Sequence, residues 1–313
     1  MVEPHGPLQE ATNLIPEVHL MAKLSPIWRQ RFEQAILLIQ DLDSELSWQE
    51  IAQQCAISSY HFLRMFRLVF NETPGHYKAR IRLQMAVTIL IDQMNLSMTE
   101  VAHQSGYSSS QSFAKALKRE LGYSAKQLRK LAQDYDQLQP IITQLGHPAG
   151  NLKERSKENL ERDIALMIPF KVIECPTRHF QLKPLSPPGI FTSDRLWKSF
   201  KLNKQQSMIN LMSIEELDEP IQSQTLLIGY EVNDASLANH TCKASLYLHC
   251  RVIVDSEISY LSVWDAFLNY SMSHDIEFVE DSFVIEEIHN PNELLTAASD
   301  ISFYIGLKVI KNI

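Results

Sequence analysis

Apolar residues follow two different periods along this chain. In the first half they recur every three to four positions. Trp28, Phe32, Ala35, Ile36 and Ile39 form one such stripe behind Ser25-Pro26, a serine cap with proline in the first turn, and predict a helix starting at 26. LSWQEIAQQ, 46–54, predicts a second helix, opened by Ser47 and Glu50 as an S-x-x-E capping box. The same pattern returns in LSMTEVAHQ, 96–104, where Ser97 and Glu100 take those roles. Beyond it the match continues with one residue inserted: Phe62 with Phe113, Arg64 with Lys115, Phe66 with Leu117, Arg67 with Lys118, Phe70 with Leu121. Each unit reads as helix, short turn, helix. The turns are Cys55-Ala56-Ile57-Ser58 and Ser105-Gly106-Tyr107-Ser108. Between the units Thr73-Pro74 opens a long helix, about 74–95, apolar on two faces: Tyr77, Ile81, Met85, Ile89 and Leu83, Val87, Leu90, Met94.

From about 134 the pattern fades into a stretch with Pro140, Gly146, Pro148 and Gly150, then a polar charged run. It reads as an interdomain linker, 134–163, with a short helix at 151–163. The second half is strand-like: KVIECP, HFQLKP, TLLIGYEV, ASLYLHCRVIV, SFVIEEI and ISFYIGLKVI. Two helical stretches interrupt it, 193–209 and 259–274, each carrying a Trp with a Phe three residues on: Trp197 and Phe200, Trp264 and Phe267. The expected organisation is a tail at 1–25, an all-α tandem helix-turn-helix domain at 26–133, the linker, and an α+β domain at 164–313.

Two helix-turn-helix units in tandem suit DNA, with one helix of each entering a major groove. In the first reading helix Phe62, Met65, Phe66, Val69 and Phe70 face inward, leaving Ser59, Tyr60, Leu63, Arg64 and Arg67 on the outside. In the second, Phe113, Leu117 and Leu121 face inward, leaving Ser109, Ser110, Gln111, Ala114, Lys115, Lys118 and Arg119. Arg and Lys suit guanine, Gln suits adenine, and Leu or Ala meets a thymine methyl. Ser108, Ser109, Lys118, Arg119, Lys126 and Arg129 are the expected phosphate contacts.

Charge sharpens the division. Residues 26–135 hold 13 Lys/Arg against 10 Asp/Glu, whereas 164–313 hold 11 against 19, so a net −8 over the chain conceals a basic half and an acidic half. The acidic half favours cations through its field. The four cysteines form no disulfide framework, and neither a secretory signal nor an 18-residue apolar run is present, so the expected setting is cytoplasmic.

Residues 26–132 resemble the DNA-binding domain of the AraC/XylS family of bacterial transcription regulators. The resemblance rests on EIAQQCAISSYHFLRMFR, PGHYKARIRLQMA and EVAHQSGYSSSQSFAKALKRELGYSAKQLRK. It implies double-stranded promoter or operator DNA as partner, with RNA polymerase as a possible further one. Leu63 departs from the family, which often has Gln there, and Ala114-Lys115 gives a smaller face than Thr-Arg.

The second half resembles the GyrI-like effector-binding domain of Rob-like regulators, on KVIECPTRHF, the Trp-centred helices, GYEVND and FVIEEIHNPNELLTAASDISFYIGL. That resemblance implies two β-α-β-β repeats around an apolar cleft, a small effector that is amphipathic or cationic, and an acid lining the cleft. Trp197, Tyr230, Tyr247, Trp264, Glu286, Glu287 and Tyr304 are the candidate ligand residues. The family glutamate falls near Ile285-Glu286-Glu287, with Ile285 a candidate for its place. Two alternatives remain: capture of a protein partner, or hydrolysis of a small reactive compound. His240, Cys242, His249 and Cys250 fit no common zinc spacing, and the acids of IEELDEP, 214–220, read as a solvated loop. No metal, cofactor or catalytic residue is expected. With two reading helices in one chain, a monomer or weak homodimer suffices.

Overall fold

The structure is a computed structural model that describes residues 10–41, 44, 46–132, 135–148, 159–185, 207–216, 225–279, 281–291 and 298–308. The chain forms two compact units: a helical unit, Ile15–Asp163, and a sheet unit made from the residues on either side of it.

The helical unit begins with α1 (Pro16–Met21) and α2 (Pro26–Gln40). The first repeat is α3 (Trp48–Gln54) and α4 (Ser59–Phe70); the long α5 (Pro74–Asp92) follows. The second repeat is α6 (Met98–Gln104) and α7 (Ser110–Leu121), then α8 (Ala125–Leu131). Both expected capping boxes form: Glu50 accepts the Ser47 backbone N–H at 2.8 Å, and Glu100 accepts that of Ser97 at 2.7 Å. The likeness of the repeats extends to backbone strain. Ala56 and Gly106 occupy the left-handed region inside the turns (φ 53° and 73°), and Asn71 and Gly122 do so at the ends of α4 and α7 (57° and 79°). Aromatic packing holds α2, α4 and α5 together. The Phe66 ring lies 4.4 Å from Phe70 and 5.7 Å from Tyr77, and Phe32 meets Phe70 edge-on at 5.6 Å. The two-faced α5 is borne out at Tyr77, Leu83, Val87 and Leu90, which are buried, but Met85 is exposed.

Residues 134–163 differ from the linker expectation. They supply α9 (Tyr135–Thr143) and most of α10 (Leu160–Ala165), and Leu138, Ile141, Ile142 and Leu145 are buried. Gln84 donates to the Leu145 carbonyl at 2.6 Å. A buried charge cluster ties the segment down: Arg80 bonds Glu72 at 2.6 Å, and Glu161 accepts the His147 backbone N–H at 3.0 Å. Burial holds the His147 ring neutral, pushing it down to about 3, and lifts Glu161 to about 7. Prolines and glycines suggested a linker because their local signal does not register tertiary burial. The 1–25 tail is likewise structured in its described part, in β1 (Thr12–Asn13) and α1, and Met21 joins the helical core.

The sheet unit continues with β2 (Lys171–Cys175), β3 (Arg178–Leu185), β4 (Met208–Ser213), β5 (Leu226–Glu231), β6 (His240–Cys242), β7 (Ser245–Val254), α11 (Glu257–Ser273), β8 (Phe283–Ile288) and β9 (Ser299–Gly306). Its pairing order is β1-β7-β9-β8-β4-β5-β3-β6, with β2 also on β7. That order is an approximate two-fold. β3 pairs β5 and β5 pairs β4; β7 pairs β9 and β9 pairs β8; the halves join through antiparallel β4 and β8. The strand before each half crosses to the other: β2 joins β7 and β6 joins β3. SMINLMS differs from the expected helix end by forming β4. An apolar run buried on both faces of a sheet has no period-2 signal to set it apart from a helix. Trp197, Phe200 and residues 193–206 of the helix expected at 193–209 lie outside the described residues.

Candidate nucleic-acid interface

The reading helices gain their orientation from their inner faces. Phe62, Phe66 and Phe70 of α4, and Phe113, Leu117 and Leu121 of α7, are buried at helical spacing. The opposite faces must then point to solvent. Ser59, Tyr60, Leu63, Arg64 and Arg67 of the first repeat are exposed, Tyr60 by 75% and Leu63 by 46%. Ser109, Gln111, Ala114, Lys115, Lys118 and Arg119 of the second are exposed as well, and Ser110 is half-buried. Ser58 and Ser109 cap the two helices, accepting the backbone N–H of His61 and of Ser112. The nominated residues of each repeat thus gather on the outer face of its helix, except that Ser109 caps α7 from outside it and Ser110 is half-buried at its start.

Three basic residues are already engaged. Lys118 donates to the Gly122 carbonyl at the end of its own helix, 2.6 Å away, and Arg119 pairs with Glu120. Arg129, expected at phosphate, donates instead to the carbonyls of Leu90 and Leu96, bracing α8 against the end of α5. That bracing uses it as a structural group.

Residues 51–131 match the family model described as a helix-turn-helix domain. The regulator AlkR of Acinetobacter baylyi is 34% identical over 82 residues, 26% of this chain and 26% of AlkR. An AraC-type DNA-binding regulator from Chromobacterium violaceum superposes on 33% of this chain and 92% of its own, with 21% identity and a TM-score of 0.30. The transcriptional activator AarP of Providencia stuartii is 33% identical over 98 residues, 31% of this chain and 72% of AarP. The chain belongs to the AraC family of helix-turn-helix transcriptional regulators. It spans about a quarter of the length of AlkR. The relatives are named as regulators and activators of transcription.

In the sheet unit of this AraC-family chain, the candidate ligand residues separate onto two faces. Phe303 packs against Tyr260, Trp264 and Phe267 of α11, so its face of the sheet lies under that helix. Cross-strand pairing puts Glu286, Asn210 and Tyr230 on this face. Tyr247, Glu287 and Tyr304 belong to the opposite face, with Ile285 and Leu211. Trp264 of α11 is half-buried, and Trp197 lies outside the described residues. One cleft cannot use both sets from the same side.

On the helix face, Glu286 is 4% exposed and accepts hydrogen bonds from the Tyr260 hydroxyl and, at 3.1 Å, from the Asn210 amide. Burial raises its carboxyl above the usual range, against the two donors. Glu257 is lifted to about 7, by burial first and by Glu286 second. The Asn210 amide oxygen is buried without a partner. Tyr260, Asn210 and Glu257 were missed in the sequence; the one available signal was a lone Asn within the apolar run of β4.

On the opposite face a cation is already in place. Arg178 donates to Glu231 at 3.0 and 2.6 Å and to Glu287 at 3.0 Å, and its guanidinium lies 5.3 Å from the Phe180 ring centre and 5.1 Å from that of Tyr304. Tyr304 also donates to Glu287 at 3.3 Å. Nearby, Ser302 Oγ is 2.8 Å from His289 Nε2, whose other nitrogen lies 3.9 Å from Glu287. The order resembles nucleophile, base and acid. Ser302, however, has no exposed surface, so the group cross-links β8 and β9. His249 and Cys250 pair with Tyr304 and Phe303, hence on opposite faces, unsuited to one metal ion.

Proposed function

We propose that this chain is a cytoplasmic transcription regulator. α4 and α7 read double-stranded promoter or operator DNA, and the sheet unit binds a small amphipathic or cationic effector. One observation carries the DNA reading: two helices capped and anchored alike, with matched outer residues, Arg64 with Lys115 and Arg67 with Lys118. Arg64, Gln111 and Lys115 are the base readers; Leu63 and Ala114 take apolar contacts to thymine methyls. Ser59, Ser109, Ser110, Lys118 and Arg119 lie where phosphate contacts are made. Because Tyr60, Leu63 and Arg64 are bulky and the second set is small, the two half-sites are read with unequal stringency. One chain holds both helices, so it acts as a monomer or weak homodimer, with RNA polymerase as a further partner.

The two-fold strand order supports a GyrI-like domain of two β-α-β-β repeats. On the helix face, Glu286, Glu257 and the free Asn210 oxygen are all acceptors, the complement of a cation with several N–H donors. The test of the DNA reading is equilibrium binding to a selected operator and to random duplex. Arg64→Ala and Lys115→Ala should each weaken operator binding by about 1–3 kcal/mol more than random binding. Equal losses on both duplexes would reduce the pair to phosphate contacts.

A further inference from the structure

β7 has an outer edge divided between two short strands. β2 runs antiparallel along Ser245–His249. Further on, β1 runs parallel, placing Thr12 beside Val252 and Asn13 beside Ile253. Leu14 completes the contact. Its N–H donates to the Ile253 carbonyl at 2.8 Å, its carbonyl accepts from Ser259 Oγ at 3.3 Å, and its side chain is wholly buried. Ser259 lies in the first turns of α11, 245 residues along the chain from Leu14. The whole helical unit lies between them in sequence.

We propose that the β7 edge beyond His249, with the start of α11, is an acceptor site for one extended peptide strand, and that Thr12–Leu14 occupies it as a releasable tie. The chemistry of the occupant follows from the site. It must be extended, run parallel to β7, and end in a large aliphatic side chain that fills the slot taken by Leu14. An edge left open there would present unpaired backbone groups to other chains. The tie makes the helical unit an insertion within the sheet unit. One end is fixed by the continuous chain at 163–164, the other by a strand of two residues and one anchor. So short a parallel pairing opens at low free energy while the long β7–β9 pairing stays closed. Its release leaves the helical unit joined to the ordered sheet unit by one chain connection, at 163–164.

Amide hydrogen exchange on the full chain tests this. Leu14→Asp should speed exchange at Val252–Val254 and Ile258–Leu261 at least tenfold and leave α4 and α7 at wild-type rates. Wild-type rates at Val252–Val254 and Ile258–Leu261 overturn the tie. Leu14→Ala, a milder change, guards against general unfolding and should give the same pattern at smaller amplitude. In a chain beginning at Ile15, an added peptide spanning residues 10–15, EATNLI, should restore protection at those positions, and the same peptide with Leu14→Asp should not. Failure of the natural peptide to restore it overturns the acceptor site.

Discussion

Asn210 and Glu286 face each other across the central β4–β8 pair, and the Asn210 amide donates to the Glu286 carboxylate at 3.1 Å while its own oxygen is left without a donor. An acidic group and an orphan acceptor are thus buried together beneath α11. Each is costly without a partner that donates. Glu286→Gln supplies an N–H in the same volume, which can bond the Asn210 oxygen, and it removes the buried acid. The variant should be more stable than the parent by about 1 kcal/mol, which for a domain of this size is a rise in Tm of about 2–4 °C. Thermal melts of the two proteins check it. The same variant should lose binding of an aromatic cation with N–H donors, such as phenylguanidinium, measured by calorimetry, because the charge that attracts it is gone.

Glu257 links this cluster to pH. Burial, and then the Glu286 charge, push its carboxyl up to about 7 in the folded chain, from an ordinary glutamate value of 4.5. Below the lower value both folded and unfolded forms hold the proton and the group is neutral to stability. Between the two, the folded form keeps a proton that the unfolded form has released, so stability falls as pH rises. Above about 7 the loss is complete. The residue is partly open to solvent, which reduces the loss to about 1–2 kcal/mol. Glu161 in the helical unit adds a slope of the same sign. Buried neutral His147 and His249 act with the opposite sign below about pH 6.5, so the comparison that isolates Glu257 is parent against variant. In chemical denaturation, Glu257→Gln should gain stability relative to the parent between pH 5 and pH 8 by the share that Glu257 loses.

How much of this was legible in the sequence depended on whether a signal was local. Ser47 with Glu50 and Ser97 with Glu100 are local, so the helix starts, the repeat and the exposed faces of α4 and α7 could be read directly. The burial of His147 and Glu161 depends on Arg80 and Glu72, more than 60 residues away in the chain, and no window around Pro140 or Gly146 contains that information. β1 is two residues long, too short for any period. The alternation of β8 made Glu286 and Glu287 look like neighbours in one cleft, whereas adjacent strand residues point to opposite faces. Their separation follows from the side-chain period. That Arg178 engages Glu287 required the fold, because they meet across 109 residues.

Ala56 is the strained counterpart of Gly106. Both hold positive φ in the turn between paired helices, 53° and 73°, but Ala56 has a Cβ that opposes the left-handed conformation. It is exposed, so no packing is lost on removing the methyl. Relief of strain outweighs the extra flexibility glycine gives the unfolded chain. Ala56→Gly should stabilise the helical unit by about 0.5–1 kcal/mol, and Gly106→Ala should destabilise it by about 1 kcal/mol or more. Opposite shifts of the urea midpoint with unchanged slope would confirm that the turns share one geometry.

Gly229, in the GYEVND stretch of β5, is required for a different reason. Its φ is not in the left-handed region; the constraint is space. A Cβ built there would stand 2.0 Å from the Gln181 carbonyl oxygen and 3.0 Å from Leu182 Cα, both backbone atoms of β3. A flexible side chain could turn away from such a contact, but a strand paired through Phe180–Leu185 must shift as a whole. The shift would disturb Phe180 and Leu182 in the core of that face, and with them the position of Arg178 between Glu231 and Glu287. Gly229→Ala should therefore cost about 1–3 kcal/mol, as overpacked interiors do. It should also accelerate hydrogen exchange along β3 and β5 while α4 and α7 keep their parent rates. A melt indistinguishable from the parent would mean that β3 and β5 can part by an ångström without loss, and that the close approach at Gly229 is not what fixes this edge of the sheet.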